Sequence, residues 1–150
     1  LHKEYRRQRQ MSIRDRAEVE DWASCGNNLS NIKERIETHY FVVAVNQQSQ
    51  IVGFSSITPQ GYLHSMFVHK DFQGEGIATM LLEEIERYAI TAGITRITSE
   101  VSLTARPFFE KKGYVVEKEQ KRKANQLSLT NFLMAKEVAF LEYYNKKVTD

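Results

Sequence analysis

Between Tyr40 and Lys136 the apolar positions follow two different periods, and their order predicts an architecture. Tyr40 to Val45 is a near-continuous β-branched and aromatic run, the pattern of a buried strand. Asn46 to Gln50 is polar and reads as a turn. Ile51 to Thr58 is a second strand, so the pair predicts a hairpin. Pro59-Gln60-Gly61 turns the chain again into a third strand, Tyr62 to Val68, which makes all three neighbours antiparallel. From Glu75 to Thr91 the period becomes helical, with Ile77, Leu81, Leu82, Ile85, Tyr88 and Ala89 on one stripe and Gly93 ending the helix. Ile94 to Val101 is the next strand. Strand, crossover helix and strand make a parallel pair with right-handed connection. Thr104 is placed to cap a short helix over Ala105 to Lys112. Pro107 falls in its first turn, where a missing N–H costs little, and Gly113 closes it. Tyr114 to Lys123 and Gln126 to Lys136 predict a last hairpin around Ala124-Asn125. The expected class is α+β: a mixed sheet with antiparallel hairpins at both ends and one parallel βαβ step between.

The two ends read differently. The first 39 residues are expected to be helical, with Ser12 as N-cap and Ile13, Ala17, Val19, Trp22 and Ala23 as an apolar stripe. Gly26-Asn27-Asn28 breaks that helix, and Ser30 can cap a second one carrying Ile32 and Ile36. In the tail, 137–150, Val138, Phe140, Leu141 and Tyr144 stand at helical spacing. Those side chains need a surface, either their own domain or a second subunit, and a homodimer is the expected outcome. The start is charged throughout, without a signal-peptide pattern, and lacks an initiator methionine, so the natural protein is expected to begin earlier.

Composition narrows the function classes. A chain of 150 residues with no internal repeat, no low-complexity linker and only two prolines fits one domain over 1–150. Within it the expected parts are a helical acceptor-side region, 1–39, a sheet core, 40–136, and the tail. The net charge of +2 is too small to argue for nucleic acid or an anionic membrane surface. No apolar run approaches the roughly 20 residues that span a bilayer. Cys25 is the only cysteine, which forbids an internal disulfide and suits a cytoplasmic setting. No His, Cys, Asp and Glu set has metal-ligand spacing, so no metal is expected.

The candidate chemistry lies between Met66 and Thr79. An apolar strand runs into Gln73-Gly74-Glu75-Gly76, and a helix opens directly behind. Such a junction leaves backbone N–H groups without partners at the positive end of a helix, a ready grip for a phosphate. Gly74 and Gly76 remove side chains that would block the approach. An ordinary strand-to-helix loop would look the same, so the junction alone does not decide. A Walker A loop is excluded because no Gly-Lys-Ser/Thr follows. A Rossmann site is excluded because the preceding strand belongs to an antiparallel meander.

With its flanks, the junction resembles the GNAT superfamily of acetyl-CoA-dependent N-acetyltransferases. The family's signature is Gln or Arg, two residues, Gly, one residue, then Gly or Ala, and Gln73 to Ala78 fits it position by position. Val68 lies five residues before Gln73, where the family ends its cofactor-binding strand, and Leu81-Leu82 sits where its helix usually has paired leucines. Ala105 to Tyr114, with Phe108-Phe109 and Lys112-Gly113-Tyr114, is similar to the segment that follows. Asn131 to Lys136 resembles the closing strand. The likeness covers about Tyr40 to Lys136. The family's opening strand has no counterpart in this reading, because the first residues read as helical.

The resemblance implies a GNAT-like fold and acetyl-CoA as cosubstrate. Gln73, Gly74, Glu75, Gly76, Ile77, Ala78 and Thr79 would hold the pyrophosphate. Met66, Phe67 and Val68 would pair with the pantetheine arm as a neighbouring strand would. The Met66 amide would stabilise the oxyanion, and Ser102 and Phe109 would lie along the cofactor arm. The family often carries a carboxylate base on the strand before Met66. That strand has none here, so His64, which shares parity with Met66, and Glu100 on the next strand are the candidate bases. Phe109 stands where the family often has a proton-donating tyrosine. The thiolate then leaves unaided, or water, Ser102 or Tyr114 serves. The activity implied is acetyl transfer to a primary amine of a small molecule or peptide by direct attack. The alternative is a non-catalytic acyl-CoA-binding or regulatory module on the same scaffold.

Overall fold

The apolar run at Tyr40–Asn46 forms a strand buried on both faces, and the rest of the fold is assembled around it. The structure, a computed structural model, describes residues 5–10, 17, 34, 36–124 and 127–138. Strands β1 (Tyr5–Gln10), β2 (Tyr40–Asn46), β3 (Ile51–Ile57) and β4 (Leu63–Val68) form one antiparallel sheet in that order. A single 3-10 turn, Lys70–Phe72, leads to helix α1 (Ile77–Thr91). Then come β5 (Arg96–Ser102), helix α2 (Arg106–Lys111), β6 (Val115–Ala124) and β7 (Leu127–Glu137). These three strands form a second antiparallel sheet, ordered β5-β7-β6.

One apolar core unites the two sheets. The α1 stripe of Ile77, Leu81, Leu82, Ile85 and Ala89 packs with Val42, Ala44 and Val52 of the first sheet and with Ile97, Val101, Phe132 and Met134 of the second. Each Val, Leu, Ile, Phe or Met among them contributes about 1.5–3 kcal/mol on full burial. The opposite face of the first sheet carries a smaller cluster, Ile36, Phe41, Val43, Val45, Ile51 and Phe54. The α+β class and the predicted order from Tyr40 onward therefore hold, with Gly93 (φ 80) ending α1 as expected.

Three expectations are corrected. Tyr5–Gln10 is a strand, not a helix, and pairs with β2 from Tyr5↔Asn46 to Gln10↔Val42. The free edge of β2 supplies the backbone partners that decide this, and a charged hexapeptide suits an outer edge. The opening strand of the resemblance is thus present. Thr104 does not cap α2; its N-cap is Ala105, whose amide bonds the Ser102 hydroxyl at 3.1 Å. The parallel step shrinks to one bridge, Tyr62↔Thr98. Of the expected N-terminal helices, Ala17, Glu34 and residues 36–38 are helical, and Ala17 is exposed rather than part of an apolar stripe. Ser12, Trp22, Ser30 and the tail beyond Val138 lie outside the described residues.

Candidate active site

The site begins where the two sheets part. Thr98 N–H donates to the Gly61 carbonyl at 3.0 Å, and the Ser99 hydroxyl donates to the Leu63 carbonyl at 2.9 Å. Past that point β4 and β5 belong to separate sheets, and a wedge opens between them. A bulge in β4 lies at this point: Ser56 opposes Ser65 while the next residue, Ile57, opposes Leu63, so β4 holds one residue more than its partner.

That extra residue decides which amides face the wedge. Before it, the Gly61 and Leu63 carbonyls point to β5. After it, the His69 amide donates to the Val52 carbonyl of β3 at 2.8 Å. Backbone direction alternates along a strand, so Phe67 and Ser65 also face β3, whereas Val68 and Met66 face the open edge. The Phe67 carbonyl agrees, lying 2.8 Å from where a Cβ on Gly53 would sit. The Met66 amide is therefore aimed into the wedge. Its side chain and that of Val68 pack toward the α1 core, whereas the Phe67 ring lies against Phe54 at 5.0 Å on the other face.

The floor of the wedge runs into the glycine junction. Gly74 and Gly76 have φ of 80 and 84, the left-handed region that other residues enter at a cost, and a Cβ at either would meet nothing within 4 Å. Among the described residues no backbone carbonyl accepts from the amides of Gly74, Gly76, Ile77, Ala78 or Thr79. The first α1 amide so bonded is Met80, to Gly76 at 3.1 Å. Gln73 turns its side-chain amide back to the Val68 carbonyl at a long 3.5 Å. The result is an open, donor-rich cradle at a helix N-terminus, an arrangement that can take an anion.

His64 and Glu100 occupy the face away from α1. His64 is exposed; its ring lies 5.4 Å from Tyr62 edge-on and 5.4 Å from His39. Tyr62 bridges Thr98, which shares a β5 face with half-buried Glu100. Glu100 accepts from the Asn131 side chain at 3.4 Å. The two candidate bases thus come to one side of the wedge mouth. The parity that linked His64 to Met66 fails, because the bulge intervenes: Leu63 and Met66 both pack on the α1 core. His39 and Asn131 were not foreseen as neighbours of these groups; no pattern along the chain marks either.

Residues 11–137 match the family model described as an acetyltransferase (GNAT) domain. The chain belongs to the GNAT acetyltransferase family. This acetyltransferase is 29% identical over 118 residues to the uncharacterized N-acetyltransferase YafP of Escherichia coli K12, covering 78% of this chain and 72% of that one. Its fold is shared with a GCN5-related N-acetyltransferase from Rhodopseudomonas palustris, at TM-score 0.77 and 23% identity, over 91% of this chain and 99% of that one. It is also shared with an aminoglycoside 6'-N-acetyltransferase complexed with coenzyme A, at TM-score 0.73 and 19% identity, over 87% and 96% of the two chains.

The acetyltransferase disposes of its aromatic residues near α2 in a specific way. Phe109 is 4% exposed, edge-to-face with Phe108 and Tyr114, so it is a core residue. Tyr114 is 2% exposed and donates its hydroxyl to Glu86 of α1 at 2.8 Å; Lys136 closes the network on the same carboxylate at 3.2 Å. Burial, then the Glu86 charge, push the Tyr114 phenol well above its ordinary pKa. That hydroxyl is committed to Glu86. Ser102 Oγ accepts from the Ala105 amide at the start of α2. No group of three or more His, Cys, Asp or Glu among the described residues is arranged to hold a metal, and no described helix is long and apolar enough to cross a membrane.

Proposed function

We propose that this protein transfers the acetyl group of acetyl-CoA to a primary amine of a small molecule or peptide by direct attack. The observation that carries the reading is the continuity of the open β4 edge with the unfilled cradle at Gly74 and Gly76. The cradle suits the diphosphate and the Val68 and Met66 edge suits an amide-containing arm, which sets the thioester near the Met66 amide. The neutral amine attacks the thioester carbon, and the Met66 N–H bonds the developing oxyanion. His64 or Glu100 takes the amine proton, the C–S bond breaks and CoA leaves as the thiolate. With Tyr114 bound to Glu86, departure without a tyrosine acid is the simpler course, and a thiolate is a tolerable leaving group near neutral pH.

The buried Phe109 also favours a second reading, an acyl-CoA-binding module without turnover. One experiment separates the two: release of free thiol from acetyl-CoA over a panel of aminoglycosides, polyamines, amino acids and lysine peptides. Amine-dependent release supports the enzyme. Tight binding with no release over the panel supports the module.

A further inference from the structure

Beyond the single Tyr62↔Thr98 bridge β4 has no ladder with β5, and at the β4 bulge two serine hydroxyls bond the carbonyls on either side. The Ser99 hydroxyl donates to the Leu63 carbonyl at 2.9 Å, from β5, and the Ser55 hydroxyl donates to the Ser65 carbonyl at 2.7 Å, from β3. Both serines are buried, at 4% and 0% exposure. A buried hydroxyl that satisfies nothing would cost about 1–3 kcal/mol, so serine at these sites is justified by the carbonyls it meets. Leu63 and Ser65 have the same parity, yet their carbonyls point to opposite neighbours. The two hydroxyls thus bracket the extra residue and hold the chain in its reversed phase. That phase turns the Met66 amide, rather than those of Ser65 and Phe67, into the wedge.

We propose that Ser99 and Ser55 are positioning residues, whose hydroxyls pin the carbonyls either side of the β4 bulge and so hold the Met66 amide toward the thioester. The inference rests on the proposed acetyl-CoA reading. Neither serine belongs to the diphosphate cradle, so their loss spares cofactor affinity and acts on the polarisation of the bound carbonyl. A third hydroxyl serves as the internal comparison: Ser56 bonds the Ser65 hydroxyl at 2.6 Å and touches neither carbonyl.

The test uses acetyl-CoA labelled with ¹³C at the thioester carbonyl, and reads its stretching frequency and Kd on the full chain. The unaltered protein should lower the frequency relative to free acetyl-CoA, the mark of a hydrogen bond to the carbonyl oxygen. Ser99→Ala and Ser55→Ala should each lose at least half of that shift, with Kd changed by less than about threefold. Ser99→Thr, which keeps the hydroxyl, and Ser56→Ala should retain it. A full shift in both Ser99→Ala and Ser55→Ala would overturn the inference, as would an equal loss in Ser56→Ala, which would mean general loosening. Should one alanine variant fail to fold, the other carries the reading. If the unaltered protein binds no acetyl-CoA, the proposed function falls and this inference with it; binding without variant effects removes the inference alone.

Discussion

At the scale of single residues, the site divides its work between backbone and side chains. On the proposed reading binding rests on backbone amides, which only proline would remove, so the informative side-chain variants are those that touch the proton. His64→Ala should lower turnover about 10²-fold, the lower end of what a positioned base contributes, while acetyl-CoA affinity stays unchanged. Steady-state kinetics with an accepted amine and calorimetry with acetyl-CoA check the two halves. Full turnover in His64→Ala together with a loss in Glu100→Gln would move the base to Glu100, which sits on the same side of the wedge mouth beside Asn131. Tyr114 provides the opposite case. Tyr114→Phe should cost about 1–2 kcal/mol of stability, because one hydrogen bond to a carboxylate is lost while Lys136 keeps Glu86 paired. Turnover should not move. A drop in kcat without a drop in melting temperature would return Tyr114 to the list of proton donors.

At the scale of elements, the decisive contact is where β3, β4 and α1 meet. A Cβ on Gly53 would lie 2.8 Å from the Phe67 carbonyl and 3.0 Å from Ile77, the first residue of α1. Gly53→Val should therefore destabilise the fold by about 1–3 kcal/mol through overpacking, and weaken acetyl-CoA binding by lifting the cradle from the strand edge. Denaturant titration and calorimetry would read both; unchanged binding would separate the cradle from this contact. The same junction was legible in the chain, because a strand, two glycines and a strongly periodic helix are each local signals. What was not legible arises between elements. The hexapeptide Tyr5–Gln10 has no apolar alternation, and becomes a strand only because β2 has an edge to fill. The β4 bulge exists only as a mismatch of register with β3, so parity along the chain placed the His64 side chain with Met66 when the fold sets them on opposite faces. The resemblance puts Ser102 near the cofactor arm, and no signal along the chain shows that its hydroxyl also accepts from the Ala105 amide at the start of α2.

At the scale of the whole molecule, two sheets joined at one vertex depend on the helix that spans them, and α1 is fastened to each by a tyrosine. Just before β6 of the second sheet, Tyr114 holds Glu86. On the first, Tyr40 at the start of β2 stacks on Tyr88 at 3.8 Å and donates to Glu84 at 2.8 Å, and Arg87 closes on the same carboxylate. Both phenols are held in the protonated form, and this gives the protein an alkaline limit. Burial, then the bond to Glu84, raise the Tyr40 pKa from its ordinary 10.0 to about 12. Between those values the unfolded chain has lost the phenolic proton and the folded chain keeps it. The folded state then binds more protons, so stability falls with rising pH across that window and is fully present below it. On the acid side the sign reverses for Glu84. The hydrogen bond from Arg87, first among the causes, holds its carboxyl below the ordinary value, so its contribution stands above the usual carboxylate range and is lost as pH falls through the lowered value. Urea unfolding from pH 9 to about 12 should show a downward slope that is shallower in Tyr40→Phe than in the unaltered protein, since the variant has no Tyr40 proton to lose. Identical slopes would show that Tyr40 does not hold its proton more tightly when folded, and the clasp between α1 and the first sheet would then rest on ring stacking alone.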